Sequence, residues 1–347
     1  MIDYIIVGGH LAGIAFAETL SKQVKSFLMI SDKSQNSSLV AAGMYNGIVL
    51  KRMTPTQDAY EHLMYMKPFY KSLENKLDIK IDYPLPVYRK FASVEEQNMW
   101  FEALDKPRLQ PFLHPEIIHD TFDGIPSPFG FGKVLHTGYI DTLALIPAYW
   151  DYALKQDNFL NETFEYNALD IYPDYIEYKG YKAKHIVFAE GFGLSKNPYF
   201  GYLPLNGTKG ELLLIKAPQL KLNVCIKSAL FVLPVGGDLY KVGATYEWDD
   251  KTATPTTSAR NELIDELANI ITCPYEIVEQ YAGIRPTVKD RKPLIGTHHE
   301  FKNVHLLNGL GTRGVMLAPF MAKELYESIE TGVPVKREIN LNRVART

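Results

Sequence analysis

A glycine-rich turn near the amino terminus has the residue types and spacing of a phosphate-binding site. It reads Gly8-x-His10-x-x-Gly13 and follows an apolar run at residues 4–7. Glycines let the backbone approach a phosphate closely, and the amino end of the following helix attracts negative charge through its unpaired N–H groups. The turn therefore predicts a site for a nucleotide pyrophosphate, and the alternative is a tight turn that only packs.

One residue of this turn departs from the usual dinucleotide fingerprint. His10 stands where the second glycine is expected, and that glycine permits the closest approach to the phosphates. Gly9 beside it gives the turn room to shift, and His10 itself either contacts a phosphate or is tolerated in the turn. The acid expected to hold the adenosine ribose is Asp32, with Ser31 beside it, because it follows the apolar run at 27–30.

Apolar runs separated by glycine turns predict the elements that must position these residues. A strand, a helix and a second strand open the chain and begin a parallel sheet; they fall at 4–7, 12–20 and 27–30. Aliphatic runs joined by short turns predict an antiparallel sheet; these runs are 211–215, 230–233 and 239–244. The remaining elements are a helix at 143–155, a strand at 186–189, a helix at 258–271 and a strand, turn and helix at 304–329. Loops and short strands are expected from 85 to 135.

Length and composition are those of an ordinary globular protein with two domains. The chain has 347 residues, more than one core needs, and 46% of them are hydrophobic. The predicted fold class is α/β, a Rossmann-like nucleotide-binding domain with an inserted antiparallel-sheet substrate domain. The nucleotide-binding domain is expected at 1–85, 143–200 and 275–347, and the substrate domain at 86–142 and 201–274.

Charge, cysteine content and hydropathy argue against several other classes of protein. The net charge of −3 gives no sign of a nucleic-acid partner. Cys225 and Cys273 are the only cysteines, without the spacing of a metal site or a disulfide framework, which indicates a reducing cytoplasm. The apolar start of the chain is interrupted by Asp3, Gly8 and Gly9 and is short, so neither a signal peptide nor a membrane span is expected.

Further segments follow in an order that resembles a known family. Three of them are SLVAAGM at 38–44, GIRPTVKDRKPLIG at 283–296 and NGLGTRGVMLAP at 308–319. Shorter ones are HTGYID at 136–141, VFAEG at 187–191, PLNGTKGE at 204–211 and VGATYE at 242–247. With the first glycine turn, the combination resembles the FAD-dependent D-amino-acid oxidase family over nearly the whole chain. That family includes glycine oxidase, monomeric sarcosine oxidase and the FAD domain of a bifunctional tRNA-wobble-uridine enzyme.

The resemblance implies which residues hold FAD. Gly8, Gly13 and Asp32 would bind the pyrophosphate and ribose, with Gly9 and His10 in the same turn. The residues implied to line the flavin ring, to meet the adenine and to form a second glycine turn at the flavin are Ala42, Gly43, Met44, Leu169, Gly191, Gly309, Gly311, Thr312, Arg313 and Gly314. Sarcosine oxidases attach flavin to a cysteine in the carboxyl-terminal part of the chain. None follows Cys273 here, so the resemblance implies non-covalent FAD.

The family's reaction is a hydride transfer from a C–N bond to flavin, so the protein must above all clamp the substrate. Arg285 matches the family's carboxylate-binding arginine, and a guanidinium offers two parallel donors to a carboxylate. The alternative is a structural arginine that pairs with Asp290 or with a backbone carbonyl. Arg313 would be a second anion contact or a charge beside the flavin. Lys241 falls where sarcosine oxidases keep an oxygen-activating lysine, and the alternative is a solvated lysine.

Several other side chains are weaker candidates. Phe231 occupies the position of a substrate-contacting tyrosine in glycine oxidases, so that hydroxyl contact is missing. Tyr246 and Tyr45 are candidates to border the substrate pocket. His298 and His299 have no third ligand at metal-binding spacing, so no metal site is predicted.

The resemblance leaves several functions open. The first is a small-molecule amine or amino-acid oxidase with oxygen as acceptor, and a dehydrogenase with another acceptor is a variant of it. The second removes a carboxymethyl group oxidatively from a modified wobble uridine of tRNA, for which the acidic net charge gives no support. The third is a non-catalytic nucleotide-binding module, in which His10 has abolished FAD binding. A cytoplasmic protein without a membrane partner fits each of these.

Overall fold

The computed structural model describes residues 1–344, which fold around two large β-sheets. That part of the chain contains seven α-helices, α1 to α7 in chain order: Leu11–Lys22, Ser37–Val40, Ala59–Leu77, Val94–Leu104, Thr142–Lys155, Thr257–Ala268 and Gly314–Thr331. Its strands, β1 to β21 in chain order, are Ile2–Val7, Phe27–Ile30, Met44–Tyr45, Ile48–Val49, Thr54–Pro55, Asp82–Pro84, Val87–Lys90, Leu113–Ile118, Phe131–Val134, Gly138–Ile140, Phe159–Leu160, Leu169–Ile171, Ile176–Tyr178, Tyr181–Phe188, Thr208–Lys216, Cys225–Lys227, Phe231–Gly236, Leu239–Gly243, Glu276–Arg285, Leu294–Thr297 and Val304–Asn308.

The first sheet has a parallel centre. Strands β11, β2, β1, β14 and β21 lie side by side and parallel, and β20 pairs antiparallel with β21. The predicted β1–α1–β2 unit and the returning strand β14 are therefore confirmed. Because parallel strands end at the same edge, the turns after β1, β2, β14 and β21 meet there.

Alternating side chains of β1 divide the core into two layers. Tyr4 and Ile6 point toward α1, α3, α5 and α7, whereas Ile5 and Val7 pack with apolar residues of β14 and β21 on the opposite face. All four side chains are almost completely buried. This double burial explains why the strand is a continuous apolar run.

The second sheet is mostly antiparallel, as predicted. Its order is β19-β15-β18-β17-β16-β7-β9-β8, and only β16 and β7 run parallel. Strand β19 belongs to this sheet although it follows residue 275, where we placed the return to the nucleotide-binding domain. The domain boundaries stay a prediction. By sheet membership alone, the boundary predicted at residue 275 would lie after Arg285.

Two local expectations were wrong. Helix α4 lies within the stretch expected to be loops and short strands. Strand β14 begins at Tyr181 rather than at residue 186, because its first half forms a hairpin with β13. The chain after α7 returns to the core, since Leu341 is buried. No helix among residues 1–344 is both long and apolar enough to cross a bilayer.

Candidate active site

The first glycine turn joins β1 to α1 and is tightly closed. Gly8 has φ +113°, and a Cβ placed on it would lie 2.3 Å from the carbonyl oxygen of Ala189. A Cβ on Gly13 would lie 1.9 Å from the carbonyl oxygen of Gly8. The indole N–H of Trp150 donates to the carbonyl oxygen of Gly9 at 2.5 Å. Both Gly8 and Gly13 therefore require glycine, and the turn is fixed by its neighbours.

Unpaired donors lie at this turn. The first backbone bond of α1 runs from the N–H of Ile14 to the carbonyl of His10, so the N–H groups of the preceding residues have no intrahelical acceptor. The imidazole of His10 lies against Trp150, and its buried Nε2 has no hydrogen-bond partner among residues 1–344. Burial lowers the pKa of His10 to about 4, so the ring is neutral at pH 7. These donors fit the oxygens of an FAD pyrophosphate.

Asp32 follows β2 at the same edge of the sheet. Its Oδ1 accepts from the N–H of Ser34 at 2.9 Å, and its Oδ2 accepts from the hydroxyl of Thr163 at 3.0 Å. Burial alone would raise the pKa of Asp32, but these hydrogen bonds outweigh it and lower the pKa below its ordinary value. An ionised carboxylate at this place suits the ribose hydroxyls, as predicted for Asp32.

The end of β14 adds a carboxyl group. Glu190 accepts from the hydroxyl of Tyr166 at 2.5 Å and from Nδ2 of Asn197 at 2.7 Å. Burial raises the pKa of Glu190 to about 7, against the effect of both hydrogen bonds. Its backbone nitrogen lies 3.2 Å from the position of a Cβ on Gly8, so this residue borders the first glycine turn. Leu169, the residue implied to meet the adenine, begins β12 and is buried.

The second glycine turn joins β21 to α7 beside the first turn. It consists of Gly309 with φ +72°, Gly311 with φ +57°, the exposed Thr312, Arg313 and Gly314. Asn308 before it donates through Nδ2 to the carbonyl oxygen of Gly191 at 3.0 Å. A Cβ on Gly314 would lie 3.6 Å from Cδ1 of Leu11 in α1. The two glycine turns and the end of β14 thus form one cluster, as the predicted cofactor site requires.

The segment predicted to line the flavin ring consists of Ala42, Gly43 and Met44. A Cβ on Gly43, which has φ +70°, would lie 2.0 Å from the carbonyl oxygen of Ile140 in β10. The preceding carbonyl, that of Ala41, accepts from Nζ of Lys241 in β18 at 3.4 Å. The structure therefore brings this segment against the second sheet and next to Lys241.

Arg285 is the last residue of β19, and its guanidinium contacts backbone carbonyl groups. Its Nη1 donates to the carbonyl oxygens of Lys209 at 3.4 Å and Thr245 at 3.2 Å. The guanidinium covers Gly210, where a Cβ would lie 1.9 Å from Nη2, and its Cζ is 4.5 Å from the ring centroid of Tyr246. A glycine below and a tyrosine ring beside it hold the guanidinium in place.

No carboxylate in the described part of the chain pairs with Arg285. Asp290, the alternative partner, is held in two hydrogen bonds of 2.8 and 3.1 Å by Arg343. Only Nη1 of Arg285 meets carbonyls, and burial lowers the pKa of the guanidinium. The remaining N–H groups are suited to the two oxygens of a carboxylate.

The two other basic candidates are also partly buried. Nη2 of Arg313 donates to the carbonyl oxygen of Arg291 at 2.9 Å, and burial together with the charge of Arg291 lowers the pKa of Arg313. Burial lowers the pKa of Lys241 as well, although the charge of Asp141 opposes this. Lys241 is thus not the solvated lysine of the alternative interpretation.

The weaker candidates occupy different environments. Phe231 lies over Gly243, with its Cζ 3.2 Å from the position of a Cβ there. Tyr246 is 59% exposed beside Arg285, which suits a pocket rim. Tyr45 is buried instead, and its hydroxyl donates to Asp82 at 2.8 Å.

The histidine pair near β20 is not simply a surface feature. His298 is buried, its ring packs against Phe200 and Phe301, and its Nδ1 accepts from the backbone N–H groups of Glu300 and Phe301. Together with His299 and Glu300 it places three possible ligand atoms within 4.8 Å of one another. The absence of a metal site stays a prediction.

Two contacts of the site were not found from the sequence. Glu190 had a signal, because it follows a predicted buried strand just as Asp32 does, and such positions meet at the ligand-binding edge. Trp150 had none, since a tryptophan within a predicted helix is ordinarily a packing residue. Its contact with Gly9 depends on how α5 crosses the sheet.

Comparisons with known proteins agree with this geometry. The family model described as DAO, FAD dependent oxidoreductase, matches residues 3–328. The glycine oxidase of Bacillus subtilis is 22% identical over 345 residues, covering 91% of this chain and 90% of that protein. The tRNA 5-methylaminomethyl-2-thiouridine biosynthesis bifunctional protein MnmC of Legionella pneumophila is 24% identical over 324 residues, covering 87% of this chain and 47% of that protein.

A solved structure supports the fold. The crystal structure of glycine oxidase from Geobacillus kaustophilus superposes with a TM-score of 0.75 at 19% identity, covering 100% of this chain and 98% of that one. This chain spans less than half the length of the MnmC proteins that it matches. Because the family model covers most of the sequence, the predicted resemblance is confirmed, and this chain belongs to the DAO family of FAD-dependent oxidoreductases.

Proposed function

We propose that this FAD-dependent oxidoreductase oxidises the C–N bond of a small amine that carries a carboxylate, with oxygen as the final electron acceptor. The observation that supports the substrate class is Arg285, a partly buried guanidinium without an acidic partner in residues 1–344. Removing a charge from water without a counter-ion costs desolvation free energy, and a substrate carboxylate would offset that cost.

The residues around the glycine turns would hold FAD. The start of α1 and His10 would bind the pyrophosphate, Asp32 the ribose, and Ala42 to Met44 would line the flavin ring. When bound, FAD supplies the hydride-accepting chemistry. The task of Arg285 is to orient the substrate, since fixing the carboxylate with two parallel hydrogen bonds also fixes the neighbouring C–N bond. The stacking of Tyr246 on Arg285 restricts the clamp to one orientation.

Paired substrates test this proposal. Oxygen consumption and hydrogen peroxide formation are measured with glycine against glycinamide, sarcosine against sarcosinamide, and D-alanine against D-alaninamide. We expect at least one acid to be oxidised, with its amide turned over at least tenfold less efficiently. Equal turnover of acids and amides, or no reaction of any carboxylated amine, would count against the proposed substrate class.

Lys241 supports oxygen as the acceptor, because it holds a cation next to the predicted flavin-lining segment. A positive charge there stabilises the negative charge that develops as oxygen is reduced. We expect Lys241→Met to lower the second-order rate constant for reoxidation by oxygen by about tenfold or more, with anaerobic reduction changed less than twofold. Stopped-flow measurement of both half-reactions checks this, with Lys216→Met in β15 as the control. Equal slowing of both half-reactions would contradict the assignment.

The role of His10 follows from its unpartnered Nε2. Leaving a buried donor unsatisfied costs about 1–3 kcal/mol, which a phosphate oxygen would recover. We expect His10→Phe to raise the FAD dissociation constant by about tenfold and His10→Gln, which keeps a donor, to raise it less. Quenching of FAD fluorescence measures both. If His10 is only tolerated in the turn, His10→Gly will hold or tighten FAD, contrary to this expectation.

Glu190 makes FAD affinity depend on pH. Burial raises its pKa to about 7, so it is neutral below that pH and charged above it, where it would repel a pyrophosphate held by the first glycine turn. We expect the FAD dissociation constant to rise on the order of tenfold between pH 6 and 8. Asp32 stays ionised and His10 stays neutral over this range. Fluorescence titration of wild type and Glu190→Gln checks the assignment, and an unchanged pH dependence in the variant would refute it.

A second candidate function is oxidation of a carboxymethyl-amine on a tRNA base. The match to MnmC favours it, and so do the 59% exposed ring of Tyr246 beside Arg285 and the 45% exposed Trp248 two residues further on, because exposed aromatic rings can stack on bases. Turnover of hypomodified tRNA, with none of the free amines, would favour this function over the first.

A further inference from the structure

A cavity of about 580 Å³ opens between α3, β6 and the end of β9. Its volume lies in the range of small-molecule sites. None of the residues assigned above to FAD or to the substrate clamp lines it. The cavity is therefore a separate feature of the fold, although its lining includes Tyr45, which follows Met44 and was a weaker candidate to border the substrate pocket.

Two ammonium groups of this cavity form no salt bridge among residues 1–344, although the charge of Lys67 acts on Asp82 in the same lining. Lys67 in α3 and Lys133 in β9 line it, and both side chains are partly buried. Within the part of the chain that the structure describes, neither forms a salt bridge or a hydrogen bond to a carboxylate. Lys71, also in the lining, differs because it pairs with Glu74 at 3.1 Å.

The nearby carboxyl groups already have hydrogen-bond or salt-bridge partners. Glu74 is buried and receives Lys71, Lys80 at 3.0 Å, and the backbone N–H groups of Ile81 and Asp82. Asp82 lines the cavity but accepts the hydroxyl of Tyr45. Burial raises the pKa of Asp82, although the hydrogen bond from Tyr45 and the charges of Lys80 and Lys67 act in the opposite direction. The cavity therefore presents an excess of positive charge.

The other walls indicate what else a ligand contains. Pro68, Leu85 and Val134 give the cavity apolar surface. His136, at its rim, has φ +56°, and burial and the charge of Lys67 lower its pKa, so that it offers a neutral hydrogen-bonding group.

We propose that this cavity binds a small organic dianion, whose two charges meet Lys67 and Lys133 and whose apolar part packs on Pro68, Leu85 and Val134. Two positive charges that line one cavity and are partly out of water are best neutralised by two negative ones. A phosphate monoester and a dicarboxylate share this chemistry. The inference is independent of the proposed function, because no FAD or substrate contact is involved.

Calorimetric titration of the FAD-loaded protein tests the site. Phenyl phosphate and phthalate are the two probes, and benzyl alcohol is the neutral control. We expect one probe to bind with a stoichiometry of one, and its identity tells phosphate ester from dicarboxylate. The double variant K67Q/K133Q should weaken that binding at least tenfold. The matched variant K155Q/K216Q, which removes two exposed lysines elsewhere, should change it less than twofold.

Arg285 is a second place where phthalate could bind, so the titration is repeated with R285Q. Binding that persists in R285Q and is lost in K67Q/K133Q supports the cavity. Binding lost only in R285Q overturns the proposal, as does equal affinity of wild type and K67Q/K133Q, or no binding of either probe. The single variants K67Q and K133Q, with thermal melts as a folding check, serve if the double variant fails to fold.

Discussion

Replacing Arg285 by glutamine should lower kcat/KM for carboxylated amines by about 10²- to 10³-fold while FAD content stays unchanged. Removing one partner of a desolvated, hydrogen-bonded charge pair costs about 2–5 kcal/mol, and each 1.4 kcal/mol is a factor of ten. Arg285→Lys keeps the charge but not the two parallel donors, so an intermediate loss is expected. Steady-state kinetics with matched acids and amides measures the effect.

The control for this result is Arg343→Gln. Arg343 is an arginine whose observed partner is Asp290, so its loss should affect stability more than kcat/KM. A loss of less than threefold in kcat/KM for carboxylated amines in R285Q would contradict the assignment of Arg285 as the substrate clamp. An equal loss of kcat/KM on amide substrates would show instead that Arg285 is structural, acting through its bonds to Lys209 and Thr245.

Gly13→Ala should yield protein that purifies without FAD and is less stable. The added methyl would lie 1.9 Å from the carbonyl oxygen of Gly8, so the turn must open and the backbone that would meet the pyrophosphate must move. Overpacking of this kind costs about 1–3 kcal/mol or more. The absorbance ratio of flavin to protein and a thermal melt measure the two effects.

Gly193→Ala provides the comparison for this substitution. A Cβ there would lie no closer than 3.4 Å to its neighbours, which is an ordinary contact, so FAD content and stability should be close to those of wild type. Full FAD occupancy in Gly13→Ala would mean that the cofactor does not depend on the closed turn.

The sequence predicted those parts of the site that depend on local patterns. The two glycine turns and Asp32 are each adjacent to a strand in the chain, and strand ends meet at one edge of a parallel sheet. The position of Arg285 was predictable only through the family resemblance. Its lack of an acidic partner was not predictable. It depends on Arg343, which lies 53 residues after Asp290 in the chain and binds that carboxylate in the folded protein.

Other features were missed for two different reasons. Helix α4 had a local signal, because Ser93 accepts from the N–H of Glu96 in the S-x-x-E pattern of a capping box, and the density of proline and aromatic residues nearby obscured it. The cavity had no local signal. Lys67 lies in α3 and Lys133 lies in β9 of the second sheet, so only the folded chain brings both residues to the same cavity.

We expect this chain to hold FAD and to reduce it with a carboxylated amine. The visible absorbance spectrum of the purified protein, recorded before and after anaerobic addition of glycine, sarcosine, D-amino acids and proline analogues, tests it most directly. We expect a yellow protein that is bleached by at least one of these compounds and is not bleached by the matching amide. A colourless protein that takes up no added FAD would contradict the account.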